Sequence, residues 1–255
     1  MHKKKPLLLL ATLISTALLT ACGGGGGGGG DDGGSQPQVV APTPVPDTNT
    51  GNSGNGATDS GEIPASKATL GSVSGYTYVT PDGSSYLMRK PGLIVSGTVT
   101  ESLQDANTRE IVKSTTYCCG RMSYTNYGTW TSYREDKHGV FYTGEATPAN
   151  AVPTQGSATY TGSGMRDGQL SPATFQVDFA AKTINGNIAA GEKFGSEIAM
   201  QGQIINGGIK GAAQTAGQDG TFVGHFNGPA AQELGGLAQF ADAKLDASFG
   251  ATAAQ

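Results

Sequence analysis

From Gln155 to the C-terminus, apolar and polar side chains alternate with a period of two. Ala158, Tyr160 and Gly162 alternate with Thr159 and Thr161, and Phe175, Val177 and Phe179 with Thr174, Gln176 and Asp178. Ile184, Gly186 and Ile188 are spaced by Thr183, Asn185 and Asn187; Ile198, Met200 and Ile204 share a parity with Gly202; Phe222, Gly224 and Phe226 repeat the pattern. Period two sends each apolar set to one face of a strand and each polar set to the other. Such strands at intervals of about 10–20 residues, separated by Gly, Asn and Asp turns, predict an antiparallel meander. Small residues interleaved with large ones suit the interior of a small closed barrel, and closure removes exposed edges.

Before this region the pattern is less regular. Tyr76 to Thr80 is β-prone, Pro81-Asp82-Gly83 is a turn signal, and Ser84 to Met88 reads as the return strand of a hairpin. Leu93 to Thr100 predicts another strand, whereas the polar stretch Glu101 to Val112 suits a hairpin or a short helix equally. Charged residues are 14% of the chain and Gly accounts for 41 of 255 residues, a composition for short strands and tight turns.

The N-terminus carries a different message. Lys3-Lys4-Lys5 precedes an apolar run from Leu7 to Leu19, the length of a secretory signal and short for a bilayer span. Leu19-Thr20-Ala21-Cys22 resembles the lipobox of bacterial lipoproteins, which implies a signal peptide over 1–21 and acylation of Cys22; an ordinary secretory signal is the alternative. Several acyl chains on one terminus anchor a protein stably without a spanning helix. Residues 22–65 then form a linker: an unbroken glycine run from Gly23 to Gly30, spaced prolines (Pro37, Pro42, Pro44, Pro46) and an Asn/Ser/Gly-rich stretch. As a coil, it reaches roughly 35 Å from its anchor. The net charge is −4, and loss of the three leading lysines makes the remainder more acidic, which argues against a nucleic-acid partner.

Candidate chemistry is sparse. Cys118 and Cys119 are adjacent; a vicinal disulfide, an intermolecular bridge and free thiols are all open. Around them lie Tyr117, Tyr124, Tyr127, Trp130, Tyr133, Phe141 and Tyr142, interleaved with Arg121, Arg134 and Lys137. Aromatic and arginine side chains on Gly-containing loops supply interface hot spots, so Tyr124, Tyr127, Trp130, Tyr133, Arg121 and Arg134 are the binding candidates, with core filling the competing account. His138, in the polar turn Glu135 to Gly139, and His225, on the parity opposite Phe222 and Phe226, are weak haem-ligand candidates; both are expected to be solvated. No metal site is expected, and no G-x-S-x-G, H-E-x-x-H, P-loop or zinc spacing is present, which leaves an enzyme without a motif.

Several tracts resemble the transferrin-binding protein B family. Gly156 to Gly162 is similar to its first barrel strand, Val177-Asp178-Phe179 with Lys182 to Gly186 to its next hairpin, Phe222 to Pro229 with Ala231 and Glu233 to Gly236 to its most distinctive tract, and Ser248-Phe249-Gly250 to its closing strand. The same barrel occurs in factor H-binding protein and haemoglobin–haptoglobin utilisation protein A. The resemblance implies an all-β fold with an eight-stranded antiparallel barrel over 146–255 and a small β-rich handle over 66–145. It also implies outer-membrane, cell-surface display and capture of a host iron or haem carrier such as haemoglobin, beside a TonB-dependent transporter. Binding of a host immune regulator or glycan is the alternative; no cofactor is expected, with direct haem binding as the competing account.

Overall fold

The computed structural model describes residues 62–89, 97–118 and 122–254. The expected signal peptide, Cys22 and the expected linker as far as Gly61 therefore lie outside the described residues, as do Leu93 to Ser96, Cys119 and Arg121. Among the described residues there are sixteen strands and no α-helix.

Eight strands build the first half: β1 (Lys67–Ala68), β2 (Ser72–Ser74), β3 (Thr77–Val79), β4 (Ser85–Leu87), β5 (Val99–Gln104), β6 (Ile111–Cys118), β7 (Thr125–Ser132) and β8 (Lys137–Gly144). They form two sheets. One has the order β1-β8-β7-β6-β5 and the other is the meander β2-β3-β4. The expected hairpin around Asp82 is β3–β4, closed by Thr80 and Ser84. The undecided stretch from Glu101 to Val112 is also a hairpin: the Asp105 carboxylate accepts the backbone N–H groups of Asn107 and Thr108, an Asx turn that outcompetes a helix.

The second half is β9 (Ser157–Arg166), β10 (Gln169–Asp178), β11 (Thr183–Ile188), β12 (Ile198–Ile205), β13 (Gly208–Thr215), β14 (Gln218–Asn227), β15 (Glu233–Phe240) and β16 (Ala247–Ala253). Each pairs antiparallel with the next, and β16 returns to β9 with Ala251 opposite Gly162, closing an up-and-down barrel. Tyr160, Phe175, Ile184, Ile188, Met200, Phe222, Phe226 and Phe249 fill its interior, all buried. Glycine is required where rings cross the lumen. A Cβ on Gly186 would stand 2.5 Å from the Phe175 ring, and one on Gly202 would stand 2.6 Å from Phe222. Gly186 and Gly202 of the alternating pattern are thus seats for aromatic side chains, whereas Gly162 and Gly224 let neighbouring backbone approach closely. At one mouth the buried Arg166 donates to the carbonyls of Leu245, Phe194 and Ser196 and lies 4.5 Å over the Phe194 ring, tying the end of β9 to the β11–β12 and β15–β16 connections.

The five-stranded sheet lies between two layers. Tyr127, Tyr142, Val140 and Cys118 face the barrel wall, packing on Met165 and Leu237. Tyr117, Trp130 and Phe141 face the three-stranded sheet, packing on Tyr78 and Met88. Tyr78 and Phe141 stack at 4.0 Å, an arrangement worth about 1 kcal/mol beyond the area it buries. The central strand β7 is consequently buried at all eight positions. The chain enters this body along the barrel: Ile63 is buried against Gly208 and the Tyr142 hydroxyl donates to the Pro64 carbonyl at 2.5 Å.

Both histidine expectations need correction. His138 is a residue of β8, not of a turn, and its side chain is 18% exposed beside Asp136. His225 does point out of the barrel wall, but it is buried, not solvated: Nδ1–H donates to the Phe226 carbonyl at 2.7 Å, and the ring lies against the Gly207 turn.

Candidate functional site

The two ends of β7 define two poles of the handle, roughly 25 Å apart at 3.4 Å per residue. The sequence-derived candidates divide between these poles and the interior. Trp130 and Tyr127 are buried, filling opposite faces of the same sheet, so they serve as its core rather than as contact surface. Tyr133 (49% exposed) and Arg134, paired with Asp105, sit at the far pole in the β7–β8 turn. Tyr124 sits at the near pole, in the connection between β6 and β7. Arg121 lies outside the described residues. The candidates therefore form no single cluster.

The near pole is the more elaborate of the two. Arg89 donates to the Ser123 carbonyl, lies 4.3 Å over the Tyr76 ring and stands 3.9 Å from Glu145. The Tyr76 hydroxyl donates to the same carboxylate. Burial, then that hydrogen bond, pushes the Tyr76 phenol up to about 12, so it remains a neutral donor. The backbone continues the network onto the barrel: Glu145 N–H donates to the Tyr124 carbonyl at 2.9 Å, and Gly228 N–H donates to the Glu145 carbonyl at 2.8 Å. Gly228, at φ +86°, leaves room for the Tyr124 ring; a Cβ there would stand 2.7 Å from it. Beside this cluster a cleft of about 490 Å³ opens between handle and barrel, lined by Cys118, Met122, Tyr127, Ser163, Leu170 and Thr252. Cys118 is disulfide-bonded and buried; its partner lies outside the described residues.

This surface combines half-buried phenols, a guanidinium and exposed backbone turns, the ingredients of a protein-recognition patch. Among the described residues no group of three or more His, Cys, Asp or Glu side chains is placed to hold a metal ion. His138 and His225 stand far apart: His138 pairs with Thr131 in the half of β8 nearest the far pole, and His225 pairs with Gly208 beside the β12–β13 turn. They cannot ligate one haem together.

Sequence reasoning missed Tyr76, Arg89, Glu145 and Glu233. The first three come from strand ends without local pattern. Glu233 did leave a trace: it is the lone charge in β15, whose sequence is ELGGLAQF, and a strand so apolar places its one carboxylate where something must satisfy it.

Architecture and site together define a handle-and-barrel fold, a closed barrel that carries a layered β-sandwich on its flank and exposes loops at the handle's ends. More specifically, the chain belongs to the family described as the C-lobe and N-lobe beta barrels of Tf-binding protein B, which matches residues 120–253. Transferrin-binding protein B of Neisseria meningitidis serogroup B is 25% identical over 190 residues, covering 54% of this chain and 27% of its own. The chain thus spans about a quarter of the length of the curated relatives it matches. Among solved structures, HpuA from Kingella denitrificans in complex with human haemoglobin superposes with a TM-score of 0.60 at 19% identity, covering 74% of this chain and 87% of that one. Transferrin-binding protein B from Haemophilus parasuis gives 0.53 at 18% identity, covering 78% and 47%. No helix among the described residues is long and apolar enough to cross a membrane.

Proposed function

We propose that this chain is a lipid-anchored outer-membrane protein of the cell surface that captures a host iron or haem carrier through the near pole of its handle and passes it to a TonB-dependent transporter. It has no catalytic role in this reading. The observation that carries it is the near-pole network: an arginine over a tyrosine, a second tyrosine over a glycine turn, and a loop whose backbone is held by the barrel. Membership of the transferrin-binding protein B family supports it, as does the likeness in fold to HpuA, a protein solved with human haemoglobin.

The test is surface plasmon resonance of the chain lacking residues 1–21 over immobilised human haemoglobin and human transferrin. One of the two should bind at micromolar affinity or better, and Tyr124→Ala with Arg89→Ala should weaken it at least tenfold. A wild-type chain that holds neither carrier, or a double variant that binds as well as wild type, sinks the reading. Incorporation of labelled palmitate, abolished by Cys22→Ala, tests the anchor. A Soret titration of wild type against His138→Ala and His225→Ala separates direct haem binding from capture of a carrier.

A further inference from the structure

Ser123 and Tyr124, which lead into β7, belong to the handle, yet what fixes their backbone belongs to the barrel. Glu233, the first residue of β15, is 3% exposed. One of its carboxylate oxygens accepts the Ser123 N–H at 2.6 Å and the other accepts the Tyr124 N–H at 3.0 Å. No cation stands within ion-pair distance of it among the described residues. Two backbone donors, one on each oxygen, are therefore what compensates its burial, and charge-assisted bonds of this kind are roughly twice as strong as neutral ones. One step further along the chain, Asn227 of β14 donates to the Thr125 hydroxyl at 2.9 Å, so consecutive residues of the handle, Ser123 to Thr125, are gripped by neighbouring barrel strands.

We infer that Glu233 is a positioning residue: it holds Ser123 and Tyr124, which lead into β7, in one backbone conformation, so that the Ser123 carbonyl meets Arg89 and the Tyr124 ring lies over Gly228. A loop ordered before encounter does not lose that conformational entropy on binding. The barrel then contributes to recognition without touching the ligand. The consequence for affinity rests on the function proposed above; the consequence for the loop does not.

Glu233→Gln keeps size and shape but offers one acceptor and one donor to two N–H groups. Glu233→Asp keeps the charge but is one methylene short. Amide hydrogen exchange of both variants and wild type, read at Ser123 and Tyr124, tests the positioning directly. We expect exchange at least tenfold faster in Glu233→Gln and intermediate in Glu233→Asp, while exchange of the barrel interior at Phe175 and Ile184 stays at the wild-type rate. In parallel, binding to whichever of haemoglobin or transferrin the wild type holds should fall about tenfold, chiefly through a slower association rate, as expected when the competent conformer is only fractionally populated. Wild-type exchange at Ser123 and Tyr124 in both variants overturns the inference. So does faster exchange with unchanged affinity and association rate. If wild type holds neither carrier, the proposed function fails, and the exchange data alone then decide whether Glu233 positions the loop.

Discussion

The barrel and the handle are built from similar strands, yet only one of them announces its inside. Every barrel strand has a lumen side, and along most of the wall the other side meets water, so burial in β10 runs strictly alternately from Ser171 to Asp178. In the handle, β7 is covered on both sides, by the barrel wall and by the three-stranded sheet, and none of its eight residues is exposed. Period-two reasoning works where a sheet has one dry face. It fails where a sheet is the middle layer, because aromatic side chains of both parities are then core.

The sharpest way to break this comparison is to empty one interior at a time. Trp130→Ala and Phe249→Ala each remove a fully buried ring and should each cost about 3–5 kcal/mol. If the handle and the barrel have separable cores, Trp130→Ala should accelerate amide exchange in β6, β7 and β8 but leave Phe175 and Ile184 protected, while Phe249→Ala should do the reverse. Equal loss of protection in both regions would show that they unfold as one unit.

The same contrast explains what the sequence could show. The alternation of Phe175, Val177 and Phe179 and of Ile184 and Ile188 predicted barrel strands and their inward faces, and all five are buried. Tyr127 and Trp130 were ambiguous for a physical reason: three residues apart on a strand, they point to opposite faces, and no local pattern reveals that both faces are covered. The near pole was harder still. Tyr76, Arg89, Glu145 and Glu233 meet only because β2-β3-β4, β8 and β15 converge there, and none is near another in sequence. His225 had the right parity, but it is buried against the Gly207 turn, which parity does not report.

A smaller effect sharpens the seam between the two regions. A Cβ on Gly250 would stand 2.5 Å from the Tyr127 ring, so Gly250→Ala must push the handle off the barrel wall. Its expected cost is about 1–3 kcal/mol, as for other overpacked sites. Gly97→Ala is the control, since a Cβ there meets nothing within 4 Å among the described residues and its backbone needs no positive φ; it should change stability by less than about 0.5 kcal/mol. Chemical denaturation of the two variants checks both values.

The seam also has a titratable group. Asp246 is buried, its carboxylate accepts the Phe240 N–H at 2.7 Å, and Arg166 and Lys67 act on it from β9 and β1. Burial pushes its pKa from 3.8 up to about 6, against the pull of the Phe240 hydrogen bond and the two cations. A carboxyl with a raised folded-state pKa binds its proton more tightly in the native state than in the unfolded chain. Its contribution is therefore fully present below about pH 4 and is lost as pH rises to about 6. Asp246→Asn, which can still accept from Phe240, should remove that slope and gain about 1–2 kcal/mol at pH 7. Thermal unfolding of wild type and variant at pH 4, 5, 6 and 7 tests this; curves that stay parallel across the range would show that Asp246 ionises freely in the fold.

The smallest expected effect concerns the two poles themselves. Tyr133 is 49% exposed in the β7–β8 turn, so Tyr133→Ser removes little packing and should shift stability by less than about 0.5 kcal/mol. It should also leave carrier binding unchanged, because roughly 25 Å of strand separates it from Tyr124. Tyr124→Ser, with its ring over Gly228 and its N–H on Glu233, should cost at least tenfold in affinity at similar stability. The pair isolates position from residue type, since both replace a tyrosine next to β7 with serine. A loss of binding with Tyr133→Ser equal to that with Tyr124→Ser would move the contact surface to the far pole, or spread it along the whole handle, and the barrel's hold on the β6–β7 loop would then have no bearing on recognition.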